Sequence, residues 1–451
     1  MAELTSTMES TIEALLENKK YNSLRDILTT MNPADIAYVF EEMPRNKIPL
    51  LFRLLPKELA AESFVEMNGD FQEQLISSFS DNELKEILDE LYMDDTVDLV
   101  EEMPANVVKR ILKQSDPETR RLINEMLKYP EDSAGSIMTT EFVELRPDLT
   151  VAESIKSIRR TGIDKETINV CYVTDKSRRL IGAISIRDLI LSEEDDVIET
   201  IMEPNVIFVY TTEDQETVAD MFAKYDFTAL PVVDKETRLV GIVTIDDAID
   251  VIQEEATEDM EKMGAITPSD KPYLRQSVFD IYKSRIPWLL FLMLSAAFTG
   301  MIISHFEGAL SAYTILVASI PMITGTGGNC GSQSSVTVIR GLSLQEIEFS
   351  DTLRVIWKEI RVSVMCGVSL AIVNFGKLML IDHVAIGVAS IICLTLIVTV
   401  FVAKLVGCAL PIAAKRIGLD PAVMASPFIT TIVDALSLFI YCKIAELVLG
   451  I

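Results

Sequence analysis

The 451-residue chain carries 40 Lys and Arg against 68 Asp and Glu, a formal net charge of −28. Hydrophobic residues make up 49%, enough for packed cores and too many for a mainly disordered chain. This acidity excludes a generic nucleic-acid binder, which needs a basic footprint, and the length implies two to four structural units.

The excess charge is confined to one side: residues 1–284 sum to −29 and residues 285–451 to +1. Residues 1–131 read as an acidic, all-α superhelical domain of short amphipathic segments broken by polar turns and Pro. DIAYVFEEMP (35–44) recurs as DTVDLVEEMP (95–104) with five of ten identities, the pattern of a stacked helical array. The opening MAELTSTMESTIEALLENKK lacks the basic start and apolar core of a signal peptide. The acidic region is therefore expected in the cytosol.

A sharper repeat follows. VTDKSRRLIGAISIRDLI (173–190) matches VVDKETRLVGIVTIDDAI (232–249) at nine of eighteen positions. Each copy reads as strand, polar turn, strand around Gly182 or Gly241, then helix start, giving α/β units at 132–198 and 199–260. Ser185 and Thr244 stand three residues before Asp188 and Asp247, as helix caps do. The spacing resembles the tandem cystathionine-β-synthase (CBS) module, whose copies often bind adenine nucleotides and can hold a ribose at this Ser/Thr-x-x-Asp feature. Capping alone also accounts for it.

TIDDAIDVIQEEATEDMEKMG (244–264) reads as a helix leaving the second copy. Asp247, Asp250, Glu254, Glu258 and Glu261 recur in steps of 3 or 4 and line one face, flanked by Asp246, Glu255 and Asp259. Each like-charge neighbour costs about 0.2–0.5 kcal/mol in an isolated helix. A solvated helix face is one reading. The other is a divalent-cation sensor, because hard cations such as Mg²⁺ take oxygen ligands. Residues 261–284 are expected to form a connecting helix into the next region.

Residues 286–304 and 308–339 contain no charge, and 384–403 is a further apolar run. With two weaker candidates they give five expected membrane spans, at about 285–306, 311–340, 354–381, 384–412 and 421–450. Arg340, Arg354, Lys358, Arg361, Lys415 and Arg416 fall in the loops expected inside. The N-terminus is then cytoplasmic and the C-terminus outside. Asp434 lies 13 residues after Pro421, roughly 20 Å along a helix, with Ser426 and Thr430 on the same face. A carboxylate at that depth is costly and marks a polar pathway. PMITGTGGNCGSQSS (321–335) places Gly325, Gly327, Gly328, Asn329, Gly331 and Gln333 inside an apolar stretch. Close helix packing accounts for some of the glycines but not for Asn329, Gln333 and Asp434 together. One acid with neutral oxygens suits a hydrated divalent cation better than an anion. Five of the six cysteines lie in apolar segments, Cys171 is alone, and no CxxC pair suggests zinc or a disulfide framework. Two histidines offer no base–nucleophile pair, so no enzyme is expected.

An acidic helical domain, paired CBS copies, a linking helix and five spans with PMITGTGGNCGSQ closely resemble the MgtE family of magnesium channels and transporters. The resemblance implies a homodimer in the cell membrane, with a cation pathway from spans two and five. It also implies closure when cytosolic Mg²⁺ bridges the N-domain, CBS copies and connecting ("plug") helix. It assigns Asp434, Gly328, Asn329, Ser332, Ser426 and Thr430 to the pore. It assigns Glu62, Asp94, Asp98, Asp226, Asp247, Asp250, Glu255, Glu258 and Asp259 to the cytosolic sensor, and Arg187, Asp188 and Phe227 to an ATP site. Ser332 and Ser426 stand where relatives have Asn, Val336 where they have Thr, and Val170 and Cys171 replace a bulkier aromatic setting. Two alternatives remain open: a CBS-regulated channel for another ion, and a membrane-anchored Mg²⁺ or nucleotide sensor that does not conduct.

Overall fold

The structure, a computed structural model, describes residues 2–269, 273–274, 276–306, 314–424 and 426–449. The chain divides into two units, 1–252 and 253–451.

The first unit begins with short helices from Ala2–Glu17 to Pro117–Met126. Local signals start several of them. Asn32 accepts from the Ala34 N–H to open Pro33–Glu42, Ser80 and Glu83 form a reciprocal capping box at Asp81–Leu88, and Asp116 caps Pro117–Met126. The repeated segments both become helices, Pro33–Glu42 and Met93–Glu102. The apolar faces of the array bury Leu24, Leu28, Ile36, Phe40, Leu51 and Leu75 completely, each worth about 1.5–3 kcal/mol relative to exposure. This core continues into Met138, Val218, Phe222, Leu230, Val232, Val243 and Ala248, so the helical array packs on the second CBS copy. The first copy keeps a separate core around Val143, Val151, Ile158, Val173, Ile184 and Leu189.

Both copies fold into three-stranded sheets with the same topology. Val143–Leu145 pairs parallel with Val170–Thr174, which pairs antiparallel with Leu180–Ser185. Val209–Tyr210, Ala229–Val233 and Leu239–Thr244 repeat this, with register irregularities at the equivalent Val173/Thr174 and Val232/Val233. The polar turns match too: Arg178 and Thr237 adopt left-handed φ of 62° and 61°. Gly182 lies against the Met202 side chain, and a Cβ on Gly241 would come 2.6 Å from Met138 Sδ. At Gly241 the Thr139 carbonyl is also 2.7 Å from that Cβ, so this strand does not tolerate a side chain there. Phe142, Tyr172, Ala229, Leu239 and Ile242 join the copies in a shared cluster.

The helix leaving the second copy runs Ile245–Met263. The connecting helix expected over 261–284 is corrected at its start. Ala265 takes a left-handed φ of 54°, Ile266 N–H bonds to Glu261 C=O, and Ala265 N–H bonds to Lys262 C=O. That is a Schellman-type stop, with Pro268 beyond it. Residues 270–272 and 275 lie outside the described residues, and the next helix begins at Val278.

The second unit is built on five long helices among the described residues: Val278–His305, Thr314–Ser343, Thr352–Leu380, Ile386–Arg416 and Ser426–Leu449. Among the described residues, which leave out 307–313 at the start of the expected second span, four stretches are long and apolar enough to cross a membrane: Val278–His305, Phe349–Leu380, Ile386–Arg416 and Pro421–Val448. Thr314–Ser343 is not among them, because the Gly-, Thr- and Ser-rich run through its middle lowers its hydropathy. Its 30 residues still extend about 45 Å. Val278–His305 buries no residue within the unit, so its apolar surface suits lipid or another chain.

Candidate functional site

Carboxylates gather where Met93–Glu102 meets the second CBS copy. Asp94 is 7% exposed and its Oδ1 accepts from the Asp95 N–H at 2.9 Å. Burial, then the Asp247, Asp95 and Glu166 carboxylates, push its pKa well above the usual range. Asp95 is raised to about 7 by burial and by Asp247 and Asp246. Glu166 is raised to about 8 by burial and by Asp246, Asp95 and Asp247, and its Oε2 is buried without a hydrogen-bond partner. Asp247 is raised to about 6, burial outweighing the hydrogen bond from Thr244 Oγ1 at 2.6 Å. Asp98 keeps an open face to solvent, yet desolvation within the cleft and Asp247 push it upward as well. Asp250 and Glu66 are raised at the margin, by desolvation and by their acidic neighbours. Glu62 is exposed and close enough to Tyr92 to raise its phenol, after burial and Glu166.

None of Asp94, Asp95, Asp98, Glu166 or Asp247 pairs with a Lys or Arg among the described residues. No three His, Cys, Asp or Glu side chains there converge tightly enough to grip a bare ion. The arrangement is a diffuse negative field between two packed elements, and a hydrated cation or protons can relieve it.

The remaining predicted sensor residues divide between settings. Asp226 ends helix Gln215–Tyr225 with a left-handed φ of 54° and lines a cavity of about 310 Å³ with Phe227, Tyr172, Glu203 and Asn205. An adjoining cavity of about 310 Å³ is lined by Ser185, Asp188 and Glu203, the two sharing Val170, Ala183 and Glu203. Asp188 and Phe227 thus face one cavity system, while exposed Arg187 is not among its lining residues. Ser185 donates to Asp188 Oδ2 at 2.6 Å and accepts from the Asp188 N–H at 3.0 Å, as a helix cap does.

In the second unit, Lys262 Nζ reaches Glu258 Oε1 at 2.6 Å and Asp420 Oδ2 at 2.8 Å. Asp259, beside this pair, is raised by burial and by Asp420. Glu255 is half-buried on the same helix. Met263 packs against Ile339 and Ala422, so the helix end is seated on residues 339 and 420–422.

Among the long helices, Asp434 Oδ1 is buried without a hydrogen-bond partner, as are the hydroxyls of Thr395 and Thr399. One turn earlier, Thr430 Oγ1 lies 3.4 Å from Ser332 Oγ. Gly328 permits this approach, since a Cβ there would fall 2.8 Å from the Thr430 methyl. Gly331 fits against Ile429, Val433 and the Ala403 carbonyl, and Gly407 meets the Gly331 backbone directly. The small residues are thus packing devices that bring Ser332, Thr430 and Asp434 onto neighbouring helix faces. Asn329 is exposed on the polar helix. Ser426 opens the last helix, and its side chain lies outside the described residues.

Sequence reasoning missed Asp95, Glu166, Lys262 and Asp420. Lys262 was readable as the one basic residue of an acidic helix. Glu166 follows a 3₁₀ turn, Gly162–Asp164, with no periodic signal to mark it.

Comparison with known proteins places these features in a family. A family model described as "Divalent cation transporter" matches residues 320–444. "MgtE intracellular N domain" matches 7–132, and "CBS domain" matches 134–194 and 198–254. The chain is 37% identical to the magnesium transporter MgtE of Thermus thermophilus over 97% of its own length and 98% of that protein's. It is 33% identical to the magnesium transporter MgtE of Bacillus subtilis, covering 96% and 95%. The solved cytosolic domain of the Mg²⁺ channel MgtE in complex with ATP covers 54% of this chain and 99% of that structure, at 38% identity and TM-score 0.52. The soluble part of a magnesium transporter covers 56% and 99%, at 31% identity and TM-score 0.53.

Proposed function

The chain belongs to the MgtE family of magnesium transporters, and from that premise we propose that it is a channel-like Mg²⁺ importer closed by Mg²⁺ in the cytosol. The observation that carries this reading is the field of carboxylates shared by the helical array and the CBS copies, with no Lys or Arg paired to it among the described residues. Without divalent cation, Asp94, Asp95, Asp98, Glu166, Asp247 and Asp250 oppose close packing. With it, the packed state is favoured, so Mg²⁺ acts by its differential affinity for that state. We assign Glu62 and Asp226 in the first unit, and Glu255, Glu258 and Asp259 in the second, to the same Mg²⁺ response. Mg²⁺ holds its waters strongly, which suits carboxylates spread too widely to ligate a bare ion.

The pathway we assign to Asp434, with Ser332, Thr430, Gly328, Asn329 and Ser426 along the same pair of helices. Asp434 supplies the charge that attracts a dication, and hydroxyl and amide groups offer hydrogen bonds to its water shell. Two copies are needed to enclose a pathway, since the Asn329 edge is open in one chain. A homodimer in the cell membrane, N-termini cytoplasmic and C-termini outside, follows from this reading and from the basic loops. The paired cavities around Asp188 and Phe227 are sized for a nucleoside, and a relative's cytosolic domain binds ATP, so we infer nucleotide binding there as an ancillary regulator.

Mg²⁺ uptake by liposomes containing the purified full chain tests the transport reading. A dye-reported influx above that of empty liposomes supports it. No influx at any internal Mg²⁺ concentration sinks it.

A further inference from the structure

A second buried charge in the helical unit has no part in the pathway just described. Lys404, on Ile386–Arg416, is 5% exposed. Its ammonium donates to Ser334 Oγ at 3.2 Å and lies 3.6 Å from Glu359 Oε2 on Thr352–Leu380. Ser334, on the polar helix, donates its own O–H to Glu359 Oε2 at 2.6 Å. Three helices therefore meet in one closed triangle of two charge-assisted hydrogen bonds and an ion pair. Such a pair is costly to bury at membrane depth, and similar apolar side chains often do as well for stability alone.

Its place on the polar helix suggests its use. At 3.6 residues per turn, Ser334 lies about 140° around from Asn329, on the side where Gly327, Gly331 and Val338 are also buried. Asn329 and Gln333 are on the exposed side, with Ser332 between. The polar helix meets its neighbour through Gly331 on Gly407. At that glycine-on-glycine contact no side chain resists rotation about the axis, so rotation is set by side-chain contacts on either side of it: Lys415 Nζ on the Leu342 carbonyl at 2.8 Å near the helix end, and Lys404 on Ser334 one turn from Gly331.

We propose that Lys404, Glu359 and Ser334 form an intramembrane latch that fixes the rotation of the polar helix. The latch holds the Asn329 and Ser332 edge toward the cation pathway. Lys404 is then a positioning residue for Mg²⁺ passage. The inference rests on the pathway assigned above.

Mg²⁺ influx and thermal unfolding of the full chain test it together. Lys404→Met leaves Glu359 buried without its counter-charge and lowers both. The neutral pair Lys404→Met with Glu359→Gln removes that penalty, so the unfolding temperature returns toward that of the unaltered chain. Influx stays reduced about 10-fold or more, in the range that lost outer-layer support costs at metal sites. The exchanged pair Lys404→Glu with Glu359→Lys restores influx. Full influx in the neutral pair overturns the latch and leaves the transport reading standing. Absence of influx in the unaltered chain overturns the transport reading itself, and the latch with it.

Discussion

The soluble carboxylates and the membrane carboxylate use the same chemical group under opposite conditions. In the cleft at Met93–Glu102 at least five acids share one field, and each is raised by burial and by its neighbours. Among the described residues Asp434 stands without another acid beside it, one turn from a pair of hydroxyls, with an oxygen left unpartnered. Crowding makes the first site a balance that a few cations or protons can tip. On the proposed function, solitude makes the second a fixed attraction that a passing dication can leave. The difference teaches that charge count alone would not separate the proposed sensor from the proposed pathway. What separates them is whether each acid's neighbours are other acids or neutral oxygens.

The largest effect is expected from Asp434→Ala, which should reduce Mg²⁺ influx to that of empty liposomes. The same variant should keep Mg²⁺-dependent protection of residues 250–284 from protease, since the crowded site is untouched. Loss of both would merge two sites that the comparison keeps apart. Next comes Gly407→Ala, whose added methyl would strike the Gly331 backbone. Overpacking of this kind costs about 1–3 kcal/mol, to be read as a lower unfolding temperature and weaker influx together.

A smaller effect follows from pH and concerns only the crowded acids. Their folded-state pKa values lie above the unfolded ones, so the penalty is absent below about pH 4 and grows as pH rises toward the folded values. Those values are about 6 for Asp247, 7 for Asp95 and 8 for Glu166. Without divalent cation, the unfolding temperature should fall between about pH 5 and pH 8, and millimolar Mg²⁺ should flatten the slope. Glu83, held down to about 2 by Arg53, acts in the opposite direction but only in stronger acid. A rise in stability over this range would remove the crowded acids from the account.

Much of this was legible in the sequence because it rests on short-range patterns. The CBS repeat predicted paired sheets whose registers match strand for strand. The spacing of Ser426, Thr430 and Asp434 put them on one helix face, and charge-free runs marked the apolar helices. The helix stop at Ala265 was missed because only a left-handed residue after Gly264 reveals it. The acid cluster was only half legible: Asp247 and Asp250 were visible as a stripe, whereas Asp95 and Glu166 join it through the packing of elements distant in sequence. The Lys404 latch was likewise hidden, since its three residues span 70 positions and meet only when three helices pack.

The central claim is that cytosolic Mg²⁺ closes the pathway by neutralising the crowded acids. Influx into liposomes tests it most directly, with Mg²⁺ varied only on the side that carries the soluble unit. The unaltered chain should lose influx as that Mg²⁺ reaches millimolar levels, and a variant with Asp94, Asp95, Asp98 and Asp247 changed to Asn should not. Equal inhibition of the two proteins, or none in either, would contradict the account.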